Sequence, residues 1–256
     1  MKIIFAFVLG GIIGSFLNVC IYRIPKNLSI VKPNSFCPVC KKPIDWFYNM
    51  PIISYIILAG KCRNCGKPIS IRYLIVELIT AILFLLLFLR FDFSLEFISA
   101  IILFCFLIVM AFIDFDRQLI FDRTTYPLAV IGLILSFFLP GRYIVGSLIG
   151  MLVGGLSLYM VGLLSLVFFK KEGMGFGDVK LAGAIGTFLG WKEVLASLIL
   201  AFFIGAIVGI VLIILRKKGR KEYIPFGPFI ALGGVLMTLW GNEIIKVVMP
   251  IFQIYE

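Results

Sequence analysis

The chain has 256 residues, 62% of them hydrophobic and 14% charged, where soluble domains run at roughly 45–50% and about 25%. A water-soluble fold of this length cannot hide so much apolar side chain, so the composition excludes one and predicts an all-α polytopic membrane protein. Histidine is absent, which excludes Ser-His-Asp and Cys-His chemistry and any imidazole metal ligand. The net charge of +11 would point a soluble protein toward nucleic acid. Here it predicts loops lying on anionic lipid, with no nucleic-acid partner.

About 20 apolar residues cross a bilayer, and the sequence breaks into eight stretches of about that size: 3–22, 73–90, 96–113, 124–140, 144–169, 179–191, 193–215 and 226–250. The fourth and sixth are short, which predicts tilt, re-entry or a place beside a water-filled cavity. Lys and Arg orient the chain, because positive loops stay in the cytoplasm. Nineteen of the 24 fall on one side: nine in 23–72, then Arg117, Arg123, Lys170, Lys171, Lys180 and the five between Arg216 and Lys221. Lys2, Arg90, Arg142, Lys192 and Lys246 fall on the other. The first stretch has no A-x-A-like cleavage site and its strongest positive flank lies downstream, so it is expected to stay as an anchor. The expected organisation is a first span (1–22), a cytoplasmic four-cysteine domain (23–72) and a membrane-embedded domain (73–256).

Residues 23–72 are too few to hold a core without a staple. Cys37-Pro38-Val39-Cys40 and Cys62-Arg63-Asn64-Cys65 bring four thiolates within reach of one tetrahedral ion. Disulfides are disfavoured in the cytoplasm, so a zinc-ribbon-like structural Zn²⁺ on Cys37, Cys40, Cys62 and Cys65 is expected, the bland alternative being reduced thiols in a loop ordered by the membrane. A closed four-sulfur shell leaves no open position for metal catalysis. Cys20 and Cys105 sit within spans and read as small core residues.

Ionisable groups in or beside spans are costly and therefore candidates for function. Asp114, Asp116 and Asp122 lie between the third and fourth stretches, and Glu172 and Asp178 precede the sixth. The bland readings are a solvated Asp116 and an Asp122 that caps the fourth span. Asp178 follows Gly175 and Gly177, which allow a close backbone approach that a cap does not need. The glycine run from Gly173 imitates a dinucleotide loop but follows a span rather than a strand. Without histidine, peptide hydrolysis calls for two carboxylates sharing a proton or a Ser/Lys pair. Asp114 and Asp178 satisfy the first requirement. Helix ends are expected to divide their roles, Asp114 at a C-terminus as the protonated partner and Asp178 at an N-terminus as the carboxylate.

At these residues the chain resembles the bacterial type IV prepilin peptidases, or prepilin leader peptidases/N-methyltransferases. The resemblance runs nearly end to end. It comprises Gly14 to Pro25, then Cys37-Pro38-x-Cys40, Asn49-x-Pro51, Ser54-Tyr55, Gly60-x-Cys62-x-x-Cys65, Ile69-Ser70-x-Arg72-Tyr73 and Glu77. In the membrane part it comprises Ile113-Asp114 with Asp122, Gly175-Phe176-Gly177-Asp178-x-Lys180, and Pro225-Phe226-Gly227-Pro228-Phe229. It implies an eight-span G-x-G-D aspartic peptidase of the bacterial inner membrane, with its active site facing the cytoplasm. Asp114 and Asp178 would be catalytic, with Gly175, Gly177, Lys180 and Asp122 in support. Prepilins and the pseudopilins of type II secretion would be the substrates. The resemblance further implies N-methylation from S-adenosylmethionine, associated with the cysteine loop. No nucleotide motif marks the donor's site, and Gly60, Glu77 and Asn18 to Arg23 are its candidates. One departure is Phe121, where the family often has proline; stiffness rather than chemistry should change. Prepilin leaders are basic, so Asp116, Asp122 and Glu172 are expected to meet the leader while the positive loops hold lipid.

Rival readings are a transporter using intramembrane aspartates, a zinc-dependent scaffold without chemistry, and a presenilin-like protease sharing only G-x-G-D. The transporter leaves the paired cysteines unexplained, the scaffold ignores the acids, and the N-terminal motif points away from the third.

Overall fold

The computed structural model describes residues 1–248 apart from 33–34, 38, 46, 48–49, 142, 171–173 and 216–223. Pro38, Asn49, Arg142, Lys171, Glu172, Gly173 and the run from Arg216 to Lys221, all used above, lie outside the described residues. The helices in chain order are α1 (Lys2–Arg23), α2 (Ile53–Ile57), α3 (Ile71–Phe91), α4 (Leu95–Arg117), α5 (Asp122–Leu135), α6 (Ile144–Phe169), α7 (Phe176–Leu189), α8 (Trp191–Ile214) and α9 (Gly227–Val248). Among the described residues there is no strand, only the isolated bridges Phe36 to Pro43 and Lys61 to Pro68.

The chain is thus an all-helical, polytopic membrane protein. Among the described residues, six helices (α1, α3, α4, α6, α8 and α9) are long and apolar enough to cross a bilayer. The two stretches expected to be short are so: α5 and α7 have 14 residues each, about 21 Å at 1.5 Å per residue against a hydrocarbon layer of about 30 Å. The fourth stretch stops at Leu135 rather than at 140. Pro140 and Gly141 follow closely, and a residue before proline is pushed out of helical backbone.

The chain divides into two compact units, Met1–Phe97 and Ile98–Glu256. In the first, α1 packs on α3 where small residues let backbones approach, as membrane helices do without a hydrophobic drive between them. A Cβ on Gly10 would lie 2.7 Å from the Ala81 Cα, and one on Gly14 would lie 2.9 Å from the Glu77 Cα. Asn18 ties the pair by donating to the Tyr73 carbonyl at 3.0 Å.

In the second unit α7 is the centre, packed by α5, α6, α8 and α9. Every residue from Leu181 to Phe188 is buried, so this short helix is sheathed by protein on all sides. Gly150 and Gly154 of α6 meet the backbone of α7 at Gly186 and Ala182. On α4, Leu103, Leu107 and Met110 are almost fully buried, and the same stripe continues at helical spacing to Asp114. Leu152 and Leu156 of α6 and Phe203 and Ile210 of α8 are exposed, the inverse of a soluble bundle and what lipid-facing helices present.

Candidate active site and metal centre

The inward stripe of α4 delivers Asp114 to the helix's last turn, 5% exposed, while Asp178 sits in the first turn of α7 at 4%. A carboxylate that far from water needs partners. Asp178 is the third residue of its helix and reaches back to the backbone N–H of Gly175, half of a capping box. Asp114 takes its donor from the far end of the chain: the Gly227 N–H, opening α9, donates to Oδ2 at 3.0 Å. Asp114 also acts electrostatically on Asp178, so the chain brings the two expected residues together.

Ile120 fills the angle between them. A Cβ on Gly177 would lie 2.9 Å from the Ile120 Cβ, and one on Gly227 would lie 2.7 Å from Asp114 Oδ2 and 3.2 Å from Ile120 Cδ1. The close approach expected of the glycines is therefore real at Gly177. At Gly175 the nearest atom is Asp178 Oδ2 at 3.5 Å, an ordinary contact. Gly227 is the residue whose role sequence reasoning missed. The signal was the Pro225-Phe226-Gly227-Pro228 run, where proline is suited to a first turn and a glycine between prolines marks a tight approach.

Three expectations change. Asp114 meets the N-terminal amide of α9 besides the C-terminus of its own helix, so helix ends do not separate the two aspartates as anticipated. Asp122 is the first helical residue of α5, not its cap; Phe121 holds that place in extended backbone (φ −88, ψ 135), near what the family's proline would fix. The Asp122 side chain instead pairs with Lys180 at 2.6 Å, joining the starts of α5 and α7, so it faces this chain's own cation. Asp116 is exposed on the last turn of α4.

In the first unit, the sulfurs of Cys37, Cys40, Cys62 and Cys65 all lie within 4.8 Å of one another, and Cys37 Sγ is 4.0 Å from Cys65 Sγ. A tetrahedral ion with 2.3 Å bonds to sulfur sets ligand sulfurs about 3.8 Å apart, so the cluster can hold a metal ion with little adjustment. The two pairs are built alike. Cys37 N–H bonds to Lys42 and Lys41 N–H returns to Cys37; Cys62 N–H bonds to Lys67 and Gly66 N–H returns to Cys62. Backbone N–H groups of Cys65 and Asn64 bring the Cys62 thiol down to about 7, the direction a metal-ligating thiolate needs. At Cys65 the Lys67 N–H pulls the same way, but burial and the neighbouring sulfurs outweigh it and raise the thiol to about 11. Cys20 is buried and Cys105 half-buried, as expected of core residues.

Comparison with known proteins follows the same division. Residues 8–91 match the model of the bacterial peptidase A24 N-terminal domain, and residues 101–210 match that of the type IV leader peptidase family. The chain is 36% identical to a prepilin leader peptidase/N-methyltransferase of Xanthomonas campestris, over 93% of this chain and 91% of that protein. It is 35% identical to the protein of that name from Pseudomonas aeruginosa (93% and 90%) and 34% to that from Neisseria gonorrhoeae (95% and 92%). No solved structure matches the chain.

Proposed function

Because this chain belongs to the type IV leader peptidase family, we propose that it cleaves the leader from type IV prepilins and pseudopilins and methylates the new N-terminal amine. The observation that carries the peptidase reading is the meeting of two buried aspartates, Asp114 and Asp178, at the ends of α4 and α7, with a backbone amide fixing one of them. The transporter reading has no support beside it: relatives over nine-tenths of the chain are peptidases by name.

In the proposed cycle the aspartates hold one proton between them. The ionised carboxylate takes a proton from water, whose oxygen bonds to the scissile carbonyl carbon, while the protonated carboxyl donates to the carbonyl oxygen. The C–N bond then breaks and the leaving amine takes up the proton collected from water. The Gly227 N–H holds one oxygen of Asp114 and leaves the other for this traffic. Gly177 lets α7 close on Ile120, and Lys180 with Asp122 sets the starts of α5 and α7 together. Residues 73–256 carry this machinery at the cytoplasmic face of the bacterial inner membrane, where the positive loops lie.

The cysteine domain, 23–72, takes a structural Zn²⁺ on Cys37, Cys40, Cys62 and Cys65, which replaces a core that so short a segment cannot build. S-adenosylmethionine, when bound, would supply an electrophilic methyl carbon to the new N-terminal amine.

A cleavage assay tests the reading. Purified prepilin is incubated with this protein in detergent, or with Asp114→Asn or Asp178→Asn, and the product mass is read with and without S-adenosylmethionine. Wild type should remove the leader and add one methyl, and both variants should lose cleavage by about 10³-fold or more. A folded wild type that leaves several prepilins whole would overturn it.

A further inference from the structure

The chain between the two cysteine pairs dips back among the spans. At Pro51 and Ile52 it packs on the middle of α1, where a Cβ on Gly11 would lie 3.5 Å from the Pro51 Cβ and 3.9 Å from Ile52 Cδ1. The Ile52 N–H also donates to Glu77 Oε2 of α3 at 2.8 Å. Gly11 is eleven residues from the loop-side end of the 3–22 stretch, and Glu77 is four residues into 73–90. At 1.5 Å per residue those levels are about 17 Å and about 6 Å inside a hydrocarbon layer of about 30 Å. The chain then climbs out along α3: the Ile69 N–H, just before that helix begins, donates to the Gly60 carbonyl at 2.7 Å.

The dip is built as a bilayer demands. With no water in the hydrocarbon, irregular backbone survives there only if its polar groups find partners within the protein. Pro51, at the tip, has no N–H to satisfy. Ile52 follows at φ 63, ψ −53, in a γ-turn of positive φ that β-branched residues rarely adopt, closed by the Ile53 N–H on the Pro51 carbonyl. The N–H groups of Ser54, Ile56, Leu58 and Gly60 donate to the carbonyls of Met50, Ile52, Ser54 and Tyr55. The side chains of α2 are arranged inversely to those of a helix bathed in water. Ser54 is buried with its hydroxyl donating to the Phe47 carbonyl, and Tyr55 donates to the Ile69 carbonyl. Ile53, Ile56 and Ile57 share the other face at helical spacing and are 49%, 68% and 72% exposed.

We infer that residues 51–58 form a re-entrant element of the membrane, with lipid acyl chains covering Ile53, Ile56 and Ile57. The charges agree with this placement. From residue 46 to residue 60 the chain carries no charged side chain, whereas Lys41, Lys42 and Asp45 precede that run and Lys61, Arg63 and Lys67 follow it. An uncharged run too short to span is what a segment that enters and leaves by one face requires. The inference rests on α1 and α3 crossing the bilayer and is independent of the chemistry proposed above. It also gives the metal centre a second task. Cys37 and Cys40 precede the dip and Cys62 and Cys65 follow it, so one ion joining the pairs holds the neck of the loop closed.

The test uses the full-length protein in vesicles of phosphatidylethanolamine and phosphatidylglycerol. Two photoactivatable phospholipids are the probes, one carrying a diazirine midway along an acyl chain and the other carrying it on the headgroup. After irradiation the labelled residues are read by mass spectrometry. Ile53 and Ile56 should take label from the acyl probe, as the exposed Phe16 of α1 and Ile75 of α3 should. Label from the headgroup probe alone would make α2 a surface helix and overturn the inference. Absence of label from both probes would overturn it too, because protein or water would then cover this face. A substitution gives an independent readout. Ile56→Asp places a charge in hydrocarbon and should lower the melting temperature in vesicles, whereas on a helix face in water it would leave that temperature unchanged. An unchanged melting temperature therefore counts against the re-entrant placement and overturns it. Should the variant fail to insert, the labelling of wild type decides alone.

Discussion

Ile52 donates its backbone N–H to Oε2 of Glu77 at 2.8 Å, from a φ of 63° that isoleucine seldom occupies. Strain of that kind costs on the order of 1–3 kcal/mol, and here it is tied to the one acid of α3. Ile52→Gly keeps the donor and suits the dihedral, so its stability should stay within about 1 kcal/mol of wild type as relief of strain offsets chain entropy and lost side-chain contact. Ile52→Pro forbids the dihedral and removes the N–H, and it should cost about 3 kcal/mol or more. Thermal melts in detergent distinguish the two; equal melting points would mean the contact carries no weight.

Gly227→Ala should injure cleavage without unfolding the chain. The new methyl would lie 2.7 Å from Asp114 Oδ2, and if Asp114 acts as proposed, displacing it by about 1 Å costs on the order of 100-fold. The rate of prepilin cleavage should fall by that order while the melting temperature moves little. A variant at full rate would remove Gly227 from the machinery.

Lys180 and Asp122 form a partly exposed pair, at 21% and 53%, so solvent screening keeps their contribution to stability small. Lys180→Met and Asp122→Asn should each slow cleavage modestly, and the double variant should be no slower than the worse single one, because one contact is lost in all three. Fully additive losses would show that the two residues act apart.

The metal centre carries a pH dependence with a definite sign. Cys62 is held at about 7, chiefly by the backbone N–H of Cys65. Above that pH it is already the thiolate that a metal takes. Below it a proton must be displaced, and affinity loses about one further power of ten per pH unit. Purified protein should therefore contain one Zn²⁺ per chain and surrender it to a chromogenic chelator more readily at pH 6 than at pH 8. Equal retention at both would contradict the four-thiolate site.

Much of this was legible in the residues. The spans declare themselves by hydropathy, and the pairs at Cys37 and Cys62 by spacing, because a tetrahedral ion constrains sequence and geometry alike. Asp114 and Asp178 were legible because a carboxyl group beside a span is expensive and needs a reason. What was not legible depends on distant partners. Nothing local to Asp114 tells that its donor lies in Gly227, and helix-end arguments misjudged its surroundings for that reason. Asp122 looked like a cap because Thr124 and Thr125 follow it, yet the backbone N–H groups of both bond to the Phe121 carbonyl, which makes Phe121 the cap. The γ-turn at Ile52 has no sequence signature, since its residue type argues against it.

The amide partner of Asp114 also bears on the order in which the site is assembled. Synthesis adds about 5–20 residues per second, so the 113 residues that separate Asp114 from Gly227 take roughly 6–23 s to emerge. Both aspartates are in the nascent chain only over the last 49 of those residues, and the α4 end still lacks the donor that fixes it. The surroundings of Asp114 are therefore complete only once α9 has docked.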